Sequence, residues 1–112
     1  MRSIWNLFSS RPRTIGDTGE DIAARYLEEN GYVIVKRNFT TSIGEIDIVA
    51  RDADTLCFVE VKSRSGTGAN PLERIDRAKR KKISDVAEVY LKKKRIHKLK
   101  CRFDAIAVNI VK

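Results

Sequence analysis

The chain has 112 residues, of which 42% are hydrophobic, and this suits one domain with a single core. Its 23 lysine and arginine residues outnumber 15 aspartate and glutamate residues, giving a formal charge of +8 that indicates a polyanionic partner. Two cysteines are too few for a disulfide framework, and the N-terminal apolar stretch is too short for a secretory signal or a membrane span. We therefore expect a cytoplasmic nucleic-acid-binding protein, with an anionic membrane surface or a merely solvated basic face as the alternatives.

Residues 1–15 are predicted to form an N-terminal arm, and residues 16–112 a single domain that begins with a helix. Asp17 followed by Glu20 matches a capping box, and Asn70-Pro71 is typical of the start of a second helix. In chain order, the pattern predicts a helix over about 17–30, a strand over 32–36, two strands over 43–51 and 55–63, a helix over about 70–94 and a strand over 101–111. This order, αβββαβ, indicates an α/β domain.

The second and third strands form a predicted hairpin, because turn-forming residues occupy positions 52–54 between them. If the turn is centred between Ala53 and Asp54, Asp47 faces Glu60 on one side of the sheet. A pairing shifted by one residue would set Asp47 against Val59, so the hydrophobic pattern selects the first register. The reverse face then pairs only apolar residues: Ile46 with Val61, Ile48 with Val59 and Ala50 with Cys57.

Asp47 and Glu60 form the candidate catalytic centre. Opposed hairpin residues hold their Cβ atoms about 4.5–5.5 Å apart, and two carboxylates that close repel unless a cation or a proton neutralises them. The two carboxylates and the main-chain carbonyl of Val61 are the expected ligands of Mg²⁺, with Mn²⁺ as an alternative ion. Lys62, on the same face as Glu60, would orient a water or stabilise the negative charge of the transition state. The combination predicts phosphodiester hydrolysis, whereas Glu60 and Lys62 alone would be ordinary residues of an exposed strand.

Basic residues are concentrated between Arg74 and Lys100, where twelve of them accompany three acidic residues. Such charge neutralises phosphates, so we expect nucleic acid to contact this part of the chain. Three other polar residues have no catalytic role from their position alone. Asp104 is either a surface residue or the partner of a basic neighbour, and the position of Glu20 is explained by the capping box of the first helix. His97 has no assigned role. The candidate nucleic-acid contacts are Arg64, Arg74, Arg77, Lys79 and Lys82, with a solvated helix face as the alternative for Lys79.

Several short motifs follow one another along the chain: Gly19-Glu20-Asp-Ile-Ala23, Gly44-Glu-Ile-Asp-Ile48, Phe58-Val-Glu-Val-Lys62-Ser-Arg64 and Arg102-Phe-Asp104. In this order and spacing, from about Gly16 to Val111, the chain resembles the YraN-like family of uncharacterised bacterial proteins. That family is placed in the PD-(D/E)xK nuclease superfamily and is similar to archaeal Holliday-junction resolvases. The resemblance implies a restriction-endonuclease-like fold with a central mixed four-stranded sheet flanked by helices.

The resemblance also implies roles for single residues. Asp47 matches the metal-binding aspartate of the superfamily, Glu60 its second acid and Lys62 its motif lysine. Glu20 matches the helix-one glutamate of the resolvase-like members. Ile46 stands where the superfamily name has proline. The implied activity is that of a magnesium-dependent endonuclease acting on DNA, including branched DNA, with RNA as an alternative substrate and a two-fold homodimer by analogy.

Two other functions fit the same sequence. Such folds also persist as binding modules, so the main alternative is a catalytically silent nucleic-acid-binding domain of nuclease fold. A third reading is a partner in a DNA repair, recombination or uptake complex that docks through the aromatic residues of its arm, Trp5 and Phe8.

Overall fold

The structure, a computed structural model, describes residues 2–10, 18–65 and 76–110. Within these ranges the chain forms a β-sheet with a helix packed on each face. The elements in chain order are β1 (Arg2–Ser10), α1 (Gly19–Glu29), β2 (Val33–Thr41), β3 (Gly44–Asp52), β4 (Thr55–Ser65), α2 (Arg77–Lys93) and β5 (Lys100–Ile110).

The strand order in the sheet is β1-β5-β4-β3-β2. The three strands β2, β3 and β4 are antiparallel neighbours, whereas β5 runs parallel to β4. A parallel pair needs a long crossover connection, and α2 supplies it between β4 and β5. The predicted αβββαβ order and the mixed four-stranded sheet β5-β4-β3-β2 are therefore confirmed.

The N-terminal segment contains a strand where an arm was predicted. Residues Arg2–Ser10 form β1, which pairs in parallel with β5 from Arg2 beside Arg102 to Ser10 beside Ile110. The sheet thus has a fifth strand at its edge. Main-chain hydrogen bonds to an open sheet edge do not require alternating side chains, which is why the interrupted apolar sequence gave no strand signal. Residues 11–15 of the predicted arm lie outside the described residues.

Each face of the sheet carries its own hydrophobic cluster. Tyr90 meets Phe39 and Phe58 edge-to-face on the α2 side, with ring centroids 5.1 and 5.8 Å apart, in the geometry that aromatic pairs prefer. On the α1 side the buried residues are Ile22, Ala23, Ala24, Leu27, Ile48, Ala50, Cys57, Val59, Ile106 and Val108. On the α2 side they are Phe39, Ile46, Val49, Leu56, Phe58, Ile83, Val86, Ala87, Tyr90, Phe103 and Ala105.

The β3–β4 hairpin has the predicted register. Its pairs run from Asp52–Thr55 to Ile48–Val59, and the residue numbers of each pair sum to 107. The regular ladder ends at Ile48–Val59, so Asp47 and Glu60 lie immediately beyond its last pair. The predicted pairing of Ile46 with Val61 on one apolar face is wrong, because Ile46 packs on the α2 side of the sheet and Val61 on the α1 side. The hairpin therefore carries both acids to the same end of the sheet.

The second helix begins later than predicted. Its first residue is Arg77, and Asp76 caps it by accepting a hydrogen bond from the main-chain N–H of Lys79 at 2.9 Å. The predicted start at Asn70 falls within residues 66–75, which lie outside the described residues. Asn and Asp are equally good cap residues, so the sequence alone did not distinguish between the two positions.

Candidate active site

Strand β3 is irregular at the end of the hairpin where the acids lie. Ile46 and Ile48 are two residues apart and would share one face of a regular strand, yet they pack on opposite sides of the sheet. In the neighbouring β2, Asn38 has a φ of 55°, a left-handed conformation that asparagine tolerates better than most residues. The chain therefore changes face at Asp47, so that this side chain is not held in the regular alternation.

Asp47 makes a direct contact with β4, because its Oδ2 accepts a hydrogen bond from the main-chain N–H of Val61 at 2.7 Å. Burial is the main reason that the pKa of the Asp47 carboxyl rises from 3.8 to about 6, and the Val61 hydrogen bond opposes this rise. Neighbouring negative charges then raise the pKa of Asp47 further, in the order Glu60, Glu20 and Glu45. The local field around Asp47 thus favours a cation.

Glu60 is buried, with 8% of its surface exposed, and contacts two lysines. Its Oε1 lies 3.2 Å from Nζ of Lys62 and 3.5 Å from Nζ of Lys79. Lys62 lies beside Glu60 on the same strand, as its spacing predicted, whereas Lys79 comes from the first turn of α2. Lys79 therefore belongs to the acidic centre and not only to a solvated helix face.

The two lysines differ in how firmly they hold a proton. The side-chain interaction with Lys79 raises the pKa of Lys62, burial lowers it, and the negative charges of Glu60 and Asp47 raise it further. Burial lowers the pKa of Lys79, and the neighbouring Lys62 lowers it again. Lys62 is therefore the better fixed positive charge of the pair.

The cap of α1 differs from the predicted one. Thr18 is the N-cap: its Oγ1 accepts a hydrogen bond from the Asp21 N–H at 3.1 Å, and Asp21 Oδ2 accepts one from the Thr18 N–H at 2.9 Å. Asp17 lies outside the described residues. The capping-box explanation of Glu20 is wrong, because Asp21 takes that position one residue later.

Arg37 of β2 holds Glu20, a contact that the sequence pattern did not predict. Its Nε donates a hydrogen bond to Glu20 Oε1 at 3.1 Å, and its Nη2 donates one to Asp21 Oδ1 at 2.7 Å. Arg37 follows Lys36 in the sequence, and no spacing rule connects β2 with the start of α1. Glu20 also raises the pKa of Asp47, so α1 contributes a third acid to the surroundings of the centre.

A close approach between α1 and β4 positions this third acid. A Cβ atom at Gly19 would lie 2.4 Å from Cβ of Ser63, a distance that packed atoms do not tolerate. Glycine therefore lets the first turn of α1 rest against β4 directly after Lys62. The glycine of the first motif thus brings Glu20 towards the end of the hairpin.

The other residues that were predicted to contact nucleic acid differ in how exposed they are. Arg77 and Lys82 are exposed on α2, Arg64 is half-buried on β4, and Arg74 lies outside the described residues.

In the described part of the chain, no group of three or more acidic, histidine or cysteine side chains is arranged to hold a metal. A metal at the centre would therefore rest on two carboxylates and a main-chain oxygen. No helix among the described residues is long and apolar enough to cross a membrane.

A second charged cluster lies on the α1 side of the sheet. Arg102, which is 8% exposed, donates hydrogen bonds to Asp104 from Nε at 2.7 Å and from Nη2 at 2.9 Å. The same guanidinium reaches Asp52 at 3.2 Å and the Tyr32 hydroxyl at 2.7 Å. Of the two alternatives for Asp104, the structure shows the partner of a basic neighbour and not a surface residue. A cavity of about 240 Å³ beside this cluster is lined by Asp52 and Asp104 and by neither Asp47 nor Glu60 among the described residues.

Most of the chain matches known sequences. The model of the "Uncharacterised protein family UPF0102" matches residues 19–108. The chain belongs to this family. A UPF0102 protein from Clostridium kluyveri is 45% identical over 97 residues, covering 86% of this chain and 80% of the relative. One from Acetivibrio thermocellus is 44% identical over 102 residues, covering 89% and 78%, and one from Syntrophotalea carbinolica is 47% identical over 97 residues, covering 86% and 79%.

The UPF0102 segment runs from the first residue of α1 into β5, so β1 lies outside it. The family agrees with the YraN-like resemblance of the sequence. The UPF0102 names of the relatives state no activity, so the function of this member must be argued from its own residues. The matched segment contains every acid and lysine of the centre: Glu20, Asp47, Glu60, Lys62 and Lys79.

Proposed function

We propose that this UPF0102 protein is a metal-dependent endonuclease that hydrolyses phosphodiester bonds of DNA. The observation that carries the proposal is the acid pair at the end of the β3–β4 ladder. Asp47, with its pKa raised to about 6, lies within electrostatic reach of the buried Glu60, and Lys62 contacts Glu60 at 3.2 Å. Acids with perturbed pKa values beside a fixed positive charge are typical of catalytic sites.

The donor set suits magnesium, with manganese as a second ion of similar preference. Asp47, Glu60 and the main-chain carbonyl of Val61 would hold it, and all three offer oxygen atoms. The hydrogen bond that the Val61 N–H donates to Asp47 fixes the two residues relative to each other. Bound there, the ion would polarise a phosphoryl oxygen and lower the pKa of a water molecule.

The other residues of the centre have separate tasks. Lys62 carries a firmly held positive charge, which would stabilise the negative charge that develops on the phosphorus oxygens. Glu20, held by Arg37 at 3.1 Å, adds negative charge near Asp47 and thereby favours cation binding. The exposed Arg77 of α2 would contact phosphates next to the reacting one.

The substrate class follows from charge and resemblance together. A net charge of +8 favours a polyanion, and the similarity to Holliday-junction resolvases favours branched DNA cut by a two-fold dimer. RNA is the alternative substrate, and a task in repair, recombination or uptake of DNA would suit such an enzyme.

A second candidate function has an observation of its own. Both lysine contacts to Glu60 neutralise this acid without any metal, as expected of a stable binding module. A catalytically silent nucleic-acid-binding domain would bind DNA in a salt-dependent manner and leave it intact.

One experiment separates the two candidates. Branched, duplex and single-stranded DNA are incubated with the protein in Mg²⁺, Mn²⁺ or EDTA, and the products are resolved on a gel. The Asp47→Ala variant tests the centre, and Asp54→Ala, at the exposed turn of the same hairpin, is the matched control. We expect cleavage by the wild type and the control only in the presence of metal. Cleavage by Asp47→Ala at the wild-type rate, or binding without cleavage by the wild type, would refute the nuclease proposal.

A further inference from the structure

We propose that Lys79 is a built-in counter-ion of Glu60, which a divalent cation displaces so that the lysine becomes available to a substrate phosphate. The inference rests on the proposed function, because it concerns the same acid pair. Its starting point is one shared oxygen. The Lys79 ammonium lies 3.5 Å from Glu60 Oε1, the atom that also receives Lys62 at 3.2 Å.

The charges of the centre balance without a metal. Asp47 and Glu60 contribute two negative charges, while Lys62 and Lys79 contribute two positive ones, and the charge of the third acid, Glu20, is paired with Arg37. A divalent cation between the acids would bring two more positive charges close to both ammonium groups. Like charges at such distances repel strongly in a partly buried site. One of the two lysines must then leave Glu60.

The structure favours Lys79 as the lysine that leaves. Lys62 sits on β4 two residues from Glu60, so strand geometry keeps both side chains on one face. Lys79 makes the longer contact, and its side chain is 36% exposed against 29% for Lys62. Its helix also carries the exposed Arg77 and Lys82. A displaced Lys79 would thus swing towards a basic surface, where a phosphate oxygen is its next partner.

This arrangement couples the cation to the polyanion. A centre that is neutral before the cation binds carries two positive charges afterwards, and the single negative charge of a DNA phosphodiester offsets one of them. By linkage, each ligand then raises the affinity for the other by the same factor. Lys79 therefore opposes cation binding when nucleic acid is absent and supports it when nucleic acid is present.

The test measures cation affinity, independently of cleavage. Mn²⁺ alone is titrated calorimetrically into the wild type, Lys79→Met and Lys79→Arg. We expect Lys79→Met to bind Mn²⁺ at least about fivefold more tightly than the wild type, and Lys79→Arg to bind it with wild-type affinity. The matched control is Lys81→Met, on the same helix, whose Nζ contacts Asp85 Oδ1 at 3.1 Å; its affinity should be that of the wild type. Equal or weaker Mn²⁺ binding by Lys79→Met would overturn the inference.

A second titration adds a duplex DNA with a non-hydrolysable backbone. We expect the DNA to raise the Mn²⁺ affinity of the wild type and to raise that of Lys79→Met much less. An equal rise in both proteins would overturn the inference. Circular dichroism checks that the variants are folded, and Lys79→Gln replaces Lys79→Met in both titrations if the methionine variant is not.

Mn²⁺ binding and DNA cleavage together distinguish a failure of this inference from a failure of the proposed function. If the wild type and Asp47→Asn bind Mn²⁺ with the same affinity, the metal centre itself is refuted. If Mn²⁺ binding requires Asp47 and DNA is cleaved, yet Lys79→Met behaves as the wild type, only the role of Lys79 is refuted.

Discussion

Replacing Asp47 by asparagine should make the metal-free protein more stable at alkaline pH, although it would remove a residue of the proposed centre. Asparagine has the same shape and keeps an oxygen that can accept the hydrogen bond from the Val61 N–H, which Asp47 accepts at 2.7 Å. What it removes is a negative charge that burial and neighbouring acids disfavour. Functional residues are often retained at such a cost to stability.

The size of the effect follows from the pKa of Asp47. Its rise from 3.8 to about 6 corresponds to a penalty of about 3 kcal/mol for the ionised form, because each pKa unit is about 1.4 kcal/mol. Solvent screens a partly exposed carboxylate, so we expect asparagine to raise the free energy of unfolding by about 1 to 2 kcal/mol.

The gain should depend on pH in a defined direction. The folded protein holds the Asp47 proton more tightly than the unfolded chain does, so protonation stabilises the fold. The wild type should therefore gain stability relative to Asp47→Asn as the pH falls from about 6 to 3.8. Above this window the variant is the more stable protein by the full amount, and below it the difference disappears.

Urea unfolding followed by circular dichroism, in EDTA at a series of pH values, measures this difference. The matched control is Asp54→Asn in the turn of the same hairpin, where a hydrogen bond from Lys100 lowers the pKa of the carboxyl. That variant should not be more stable than the wild type at pH 8. The reasoning is refuted if Asp47→Asn gives no stabilisation above pH 6, or if its stabilisation is the same at pH 4 and pH 8.

Three further predictions concern other parts of the molecule. Asp104→Ala leaves the buried Arg102 with fewer partners and should lower the free energy of unfolding by about 3 to 5 kcal/mol; a loss below 1 kcal/mol in urea would contradict a buried ion pair. Gly19→Ala forces a Cβ against Ser63 and should cost about 1 to 3 kcal/mol in the same assay, and an unchanged stability would speak against that contact. Lys82→Ala should weaken DNA binding and reduce its slope against the logarithm of salt concentration by about 1; an unchanged slope would show that Lys82 contacts no phosphate.

The sequence predicted the centre of the fold because hydrophobic alternation fixes strand register. A shift of one residue would have buried Asp47 against Val59, and the observed ladder ends at Ile48–Val59 as the unshifted pairing requires. The pairing of Asp104 with a basic neighbour was also predictable, because residues i and i+2 of a strand share a face.

Other features depend on contacts that periodicity does not encode. The Arg37 contact to Glu20 joins β2 to α1, and the contact of Lys79 with Glu60 joins α2 to β4. In both contacts the two residues are far apart in the sequence and belong to different elements, so no rule of helix or strand spacing connects them. The cap at Thr18 was missed for another reason, since an equally plausible acid precedes it by one residue.

The edge strand β1 affects how an experiment with an N-terminally shortened protein should be interpreted. Without residues 2–10, the part of β5 that β1 covers, from Arg102 to Ile110, would present unpaired main-chain N–H and C=O groups at the edge of the sheet. Such margins recruit strands from other molecules and lead to self-association. We therefore expect a protein that lacks its first ten residues to aggregate. Inactivity of that protein would not show whether Trp5 or Phe8 contacts a partner.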